Sequence, residues 1–314
     1  MLRQISIDSL MPYFGVVVLI IVGSFFFPQI LSADYLTQQL QIAAFLGLLA
    51  TGATIVILLG HIDLSVPWIL TGAAILSTAL VGSGNPVLNV LAVPAALAFG
   101  ACIGVVNGIG VAILRIPSMV WTLAVNSMLL GVAVLNTGGF NPKGESSTLM
   151  VTMASGDVLG LPISFLIWIA ISIALALFLV RTPFGRYLRS IGFNEKATFL
   201  SGVSTPSVVF AAFAIAGMCS ALGGVMLAGY ANQAYQSMGD PFLLPTIAAV
   251  VIGGTSILGG RGGLFGTIGG ALFITLLTSI LSVMQIDDAW RNIIFGVIIL
   301  AMLLFQTLRK GATV

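Results

Sequence analysis

Residues 55–70 read IVILLGHIDLSVPWIL, two apolar runs parted by a glycine, the chain's one histidine and an acid. A charged carboxylate near the centre of a membrane helix costs roughly 2.5–3.5 kcal/mol on insertion scales. A helix break at Gly60 relieves this. Asp63 or Ser65 then caps the N-terminus of the next helix, where negative charge is favoured. Direct contact of Asp63 with a solute or a proton is the other reading. Either way, the stretch reads as an interrupted membrane helix.

The rest of the chain supports a membrane setting. Its 314 residues are 59% hydrophobic and only 6% charged, with a mean hydropathy of +1.17. Soluble proteins carry about 25% charged residues, so a chain this long could not cover a water-facing surface. Apolar runs of about 20 residues are therefore the unit to count. Ten are found, over 12–31, 40–59, 65–82, 87–114, 118–136, 162–180, 206–229, 242–258, 264–283 and 291–308. The fourth is long enough to need tilt or a kink, and Pro94 inside it could supply one. The first run, Tyr13 to Phe27, resembles a secretory signal, but the spans that follow make an uncleaved first helix the better reading. The expected fold is an all-α integral membrane protein, a single transmembrane domain over 1–314.

Ten spans put both termini on one side. With the N-terminus inside, that side holds Arg3, Arg115, Arg181, Arg186, Arg189, Lys196, Arg261, Arg309 and Lys310, nine of the eleven basic residues. Lys143 and Arg291 fall outside. Such a bias is what the positive-inside rule requires. The net charge of +2 is too small to suggest nucleic acid. Cys102 and Cys219 stand singly in apolar runs and read as small buried hydrophobes. No Cys/His cluster has metal-ligand spacing, and no catalytic constellation is recognisable.

Two loops are long. The outer one, 137–161, is rich in Gly, Ser and Thr. The inner one, 181–205, is basic and carries helical spacing at Tyr187, Ile191 and Phe199-Leu200, as a short amphipathic helix at the membrane surface would. There are 37 glycines, well above the usual share of about 7%. Small residues let membrane helices approach closely, which explains most of them. In GACIGVVNGIG, Asn107 either bonds across to another helix or lines a polar cavity. In GGTSILGGRGGLFGTIGGAL, from Gly253 to Leu272, the pairs Gly253-Gly254, Gly259-Gly260 and Gly262-Gly263 make a continuous helix unfavourable. No Gly-Lys occurs anywhere, so the phosphate-loop pattern is absent. The Gly-interrupted segments around Gly60 and Gly253 look faintly alike, and matched breaks of this kind point to a transport pathway.

Several blocks, in order, resemble the permease subunits of bacterial ATP-binding-cassette importers of the ribose/xylose/galactoside and autoinducer-2 type. They are G-x-I-D-L-S-V from Gly60, N-G at Asn107, I-P-x(4)-T-L from Ile116, G-R-Y-L-R-S-I-G-x-N-E-x-A from Gly185, S-G-V from Ser201, and I-A-A-V-V-x-G-G-T-S-x-x-G-G-x-G-x(3)-G-T from Ile247. The resemblance implies a coupling helix over about 185–203 that docks on an ATPase, with Gly185, Arg186, Arg189, Gly192, Asn194, Glu195, Ala197 and Gly202 in its motif. It implies ATP and Mg bound by that partner chain and no cofactor in this one. It also implies a periplasmic or lipid-anchored solute-binding protein, a second permease chain and surrounding lipid. His61 and Pro67 stand where the family usually has glycine. For a sugar-like solute, amides, hydroxyls and aromatic faces are wanted. Asp63, Ser65, Trp68, Asn107, Trp121 and Asn126 are the pathway candidates, with Asn232, Gln233, Tyr235 and Gln236 at an outer mouth. The rival expectation is an ion-coupled transporter using Asp63 and His61.

Overall fold

The computed structural model describes residues 7–138 and 144–311. Arg3 and Lys143 lie outside the described residues. Among the described residues the protein is all-α apart from one tiny hairpin. In order, it forms α1 (Ile7–Phe26), a 3-10 turn (Pro28–Leu31), α2 (Ala33–Leu58), α3 (Val66–Gly82), α4 (Pro86–Ala112), α5 (Ser118–Thr137) and α6 (Thr148–Ser155). A hairpin, β1 (Asp157–Val158) with β2 (Leu161–Pro162), leads to α7 (Ile163–Arg181), α8 (Pro183–Phe193), α9 (Glu195–Leu200) and α10 (Thr205–Ala231). A second 3-10 turn (Asp240–Phe242) precedes α11 (Leu243–Ile252), α12 (Leu264–Val283) and α13 (Asp288–Gly311).

Each of the ten expected spans is met by a helix. Among the described residues seven, α1, α2, α4, α5, α7, α10 and α12, are long and apolar enough to cross a hydrocarbon core, while α3 and residues 240–252 are shorter apolar helices. Several bounds differ from expectation, and α1 runs Ile7–Phe26 rather than 12–31. Helix α2 starts at Ala33 rather than near 40, capped by Ser32, whose Oγ accepts from the Tyr35 N–H at 3.3 Å. Its first turns are polar and face an open hollow with Gln29, Tyr35, Gln38 and Gln41. Helix α11 stops at Ile252, short of 258, where Gly254 takes a left-handed φ of +81°. The long loop expected over 137–161 contains α6 and the hairpin, which no apolar periodicity announced.

The centre of the bundle is α10, packed on α4, α2, α3 and α6. Helices α2 and α10 are largely enclosed, whereas α1, α4, α5 and α7 expose broad apolar faces suited to lipid. Without a hydrophobic drive between helices in lipid, close backbone approach supplies the packing. On α4 the buried residues Ala92, Ala96, Gly100, Gly104 and Gly108 recur every fourth position. A Cβ on Gly104 would strike the Phe213 carbonyl of α10, and one on Gly100 the Gly217 carbonyl. The same device seats α12 on α11 through Gly266 and Gly270. Hydroxyls and indoles add cross-links, among them Thr54 with Thr267 at 2.7 Å and Trp168 Nε1 donating to Thr51 Oγ1 at 3.2 Å.

Two segments interrupt the bundle. Residues 59–65 separate α2 from α3, and 253–263 separate α11 from α12, both at the end bearing Arg181, Arg186, Arg189, Lys196 and Arg261. A third stretch, 232–242, enters from the opposite end and reaches deep enough for the Gly239 N–H to donate to Thr71 Oγ1 at 3.0 Å.

Candidate functional site: the helix breaks and the surface segment

At the first break, α2 ends at Leu58 and Gly60 turns the chain with a φ of +85°. Residues 61–65 then run non-helically between α2, α4 and α5 before α3 begins. A backbone out of helix inside a membrane must find hydrogen-bond partners within the protein. Here α5 supplies them: the Ile62 N–H donates to Ser118 Oγ at 3.2 Å and the Leu64 N–H to Thr122 Oγ1 at 2.9 Å.

Asp63 is 6% exposed. Its Oδ1 accepts from the Ser65 N–H at 2.9 Å and from the Ser65 hydroxyl at 2.6 Å, with the Asn107 amide at 3.5 Å. Asn107 Nδ2 also donates to Ser65 Oγ at 2.7 Å. Asp63, Ser65 and Asn107, three of the pathway candidates, thus form one buried network pinning the turn to α4. Ser65 occupies the capping position of α3, yet its hydroxyl serves Asp63 and makes no cap bond to α3. Asn107 bonds across helices, one of the two roles left open for it.

The other three candidates lie apart from that network. Trp68 is packed away at 2% exposure. Trp121 rests on Gly110 and its Nε1 donates to the Val106 carbonyl at 3.2 Å, tying α5 to α4. Asn126, one turn beyond Thr122, is half-buried. Of the expected mouth residues, Gln233 bridges to Glu145 and Gln236 Nε2 donates to Thr137 Oγ1 at 2.6 Å.

The basic surface segment is two helices rather than one. Asn194 separates them with extended backbone, its Oδ1 accepting from the Ala197 N–H at 3.0 Å to start α9. The inward face of α8 is Gly185, Leu188 and Ile191, all buried. Leu188 and Ile191 join a cluster with Leu58, Leu59, Val209 and Phe213. Tyr187 was expected on this face but points outward, at 39% exposure. Gly185 abuts the Leu179 carbonyl, and that close contact turns α8 so that 188 and 191 face inward. Gly202 closes the segment with a left-handed φ of +84°.

Gly192 is the contact the sequence alone did not reveal. A Cβ there would collide with the Leu58 carbonyl at the first break and with the Gly260 backbone at the second. At the same point the Gly260 N–H donates to the Leu58 carbonyl at 2.9 Å. Gly259 and Gly260 take left-handed φ values of +84° and +74°, and a Cβ on Gly259 would press on Gly60 at 2.7 Å. Arg261 lies over the Phe193 ring at 5.9 Å. So α8 and both breaks meet backbone to backbone at one glycine junction. The only local hint was a glycine inside a short helix, where alanine is better by about 1 kcal/mol.

Beyond the junction, Arg186, Glu195, Lys196 and Ala197 are exposed. So are Phe193, Phe199 and Leu200, the last at 84%. Arg189 is half-buried, and that burial pulls its guanidinium below the usual arginine value.

The chain was compared with known proteins. A family model described as branched-chain amino acid transport system / permease component matches residues 35–303. The chain is similar to the ribose import permease protein of Haemophilus influenzae, 32% identical over 93% of this chain and 91% of that protein. The ribose import permease protein of Bacillus subtilis is 33% identical, with 97% and 95% covered. The autoinducer 2 import system permease protein of Escherichia coli is 35% identical, with 93% and 84% covered. No solved structure matches. With most of its length matched by this model and by relatives of nearly full coverage, the chain belongs to the permease-component family of such import systems, as a multi-pass inner-membrane transport subunit.

Proposed function

We infer that this chain is the membrane subunit of an ATP-binding-cassette importer that moves a monosaccharide or sugar-like solute by alternating access. The observation that carries the reading is the glycine junction. A surface segment with exposed Phe193, Phe199 and Leu200 is joined through Gly192 to both helix breaks. A partner pressing on α8–α9 therefore moves the Asp63 turn and the 253–263 loop together. Packed interfaces tend to hold discrete arrangements, so such a push favours switching over continuous bending.

In this scheme the Arg-rich end faces the cytoplasm, as do both termini, and an ATPase bearing ATP and Mg docks on α8–α9. Arg186 and Lys196 suit acidic rims, and the three apolar side chains suit a cleft. A solute-binding protein delivers solute at the opposite end, and a second permease chain completes the pathway. Relatives named for ribose and autoinducer-2 import, similar over nearly their full length, favour a sugar-like cargo over the amino acids in the family description.

The test is purification of the C-terminally tagged chain from its native host in mild detergent, with mass spectrometry of what accompanies it. The expected result is an ATPase with a phosphate-binding loop, lost when 185–202 is disrupted. Recovery of a folded chain alone, active in uptake without such a partner, would overturn the reading.

A further inference from the structure

A small cavity of about 10 Å³ lies where the first break meets α11. Asp63 and Val66 wall it on one side, Leu243 and Thr246 on the other, and α2 closes it with Ile57. Its size is on the order of one water molecule. Two of its residues hold a buried oxygen without a hydrogen-bond partner among the described residues: Asp63 Oδ2 and Thr246 Oγ1. Asp63 is 6% exposed and Thr246 2%. The remaining lining is aliphatic. Buried polar atoms left unpaired cost about 1–3 kcal/mol each, so two orphans on one small cavity point to a shared guest.

The surroundings decide its chemistry. A hard cation would need roughly six oxygen ligands, and among the described residues the side chains lining this space offer only two unpartnered oxygens. Val66 opens α3 and Leu243 opens α11, so two helix N-termini, the positive ends of their dipoles, border the cavity and disfavour a cation. A water molecule suits both oxygens. It donates to Asp63 Oδ2 and either accepts from or donates to the Thr246 hydroxyl.

We propose that Asp63 and Thr246 hold a single buried water that links the first helix break to α11. Through it the Asp63 turn, already held to α4 by Asn107 and to α5 by Ser118 and Thr122, gains an attachment to α11, the helix that leads into the Gly253-Gly254 break. The two interrupted segments are thereby joined inside the bundle as well as at the glycine junction.

The test is a high-resolution structure of the full chain in lipid nanodiscs, as wild type, Thr246→Val and Thr246→Ser, with thermal unfolding of each. Valine keeps the shape of threonine and removes the hydroxyl; serine keeps the hydroxyl. The expected result is a water density within hydrogen-bond reach of both oxygens in the wild type and Thr246→Ser, lost in Thr246→Val, which also melts lower than Thr246→Ser. A wild-type cavity without density, a density unmoved in Thr246→Val, or a many-coordinate ion at this position would overturn it. The density is read whether or not the protein transports, so the outcome is independent of the import reading.

Discussion

Substituting Gly192 by alanine tests the junction at its tightest point. The new methyl group would meet the Leu58 carbonyl and the Gly260 backbone, neither of which can rotate aside as a side chain would. Non-bonded carbon contacts settle at about 3.5–4.0 Å, so α8 must retreat by roughly 1–2 Å. Overpacking of this kind costs about 1–3 kcal/mol, and stretching the 2.9 Å bond from Gly260 N–H to Leu58 removes about 1 more. At about 1.4 kcal/mol per factor of ten, a bias of ~2 kcal/mol between two arrangements shifts their ratio roughly 30-fold. The exposed face of α8–α9 is untouched by this change. The expected phenotype is therefore uncoupling: ATPase co-purifies at the wild-type level while solute uptake falls about tenfold or more. Gly131→Ala is the control. It has nothing within 4 Å of a new Cβ on α5 and should be neutral or slightly stabilising. Wild-type uptake by Gly192→Ala, or loss of ATPase binding in step with uptake, would refute the junction as the mechanical link.

Other substitutions separate the remaining parts. Asn107→Ala leaves Ser65 Oγ without its 2.7 Å donor inside the bundle and should destabilise the protein by about 1–3 kcal/mol, read as a lowered unfolding midpoint in nanodiscs. Gly104→Val would drive a branched side chain into the Phe213 carbonyl of α10 and should reduce the folded yield far more than Gly131→Ala. Replacing exposed Phe199 and Leu200 together by serine should leave the unfolding midpoint unchanged and abolish ATPase co-purification.

The parts of this fold that could be read beforehand are those with local causes. Apolar length located the ten helices. The Gly60 break followed from the cost of an acid in lipid, and the Gly253-Gly254 break from a pair of residues that weaken helices. The resemblance to importer permeases rested on motif blocks along the chain, and the comparisons bear it out. Less legible were features made by distant residues. The polar start of α2 read as loop, because its helicity depends on a capping Ser32 and a hollow facing solvent. Tyr187 was placed on the wrong face of α8, since Gly185 against Leu179 sets the rotation of that helix. Asn107 could not be assigned between its two roles until Ser65 and Asp63 were brought beside it. Gly192 carried almost no local signal, because its partners lie more than 60 residues away along the chain on either side.

The most direct measurement of the central claim is solute uptake by intact cells with ATP and the proton gradient controlled separately. The account predicts that uptake continues under a protonophore while ATP is maintained, stops when ATP is depleted, and survives His61→Ala. Uptake that collapses under the protonophore with ATP intact, and is abolished by His61→Ala, would contradict it and make Asp63 and His61 the centre of an ion-driven mechanism.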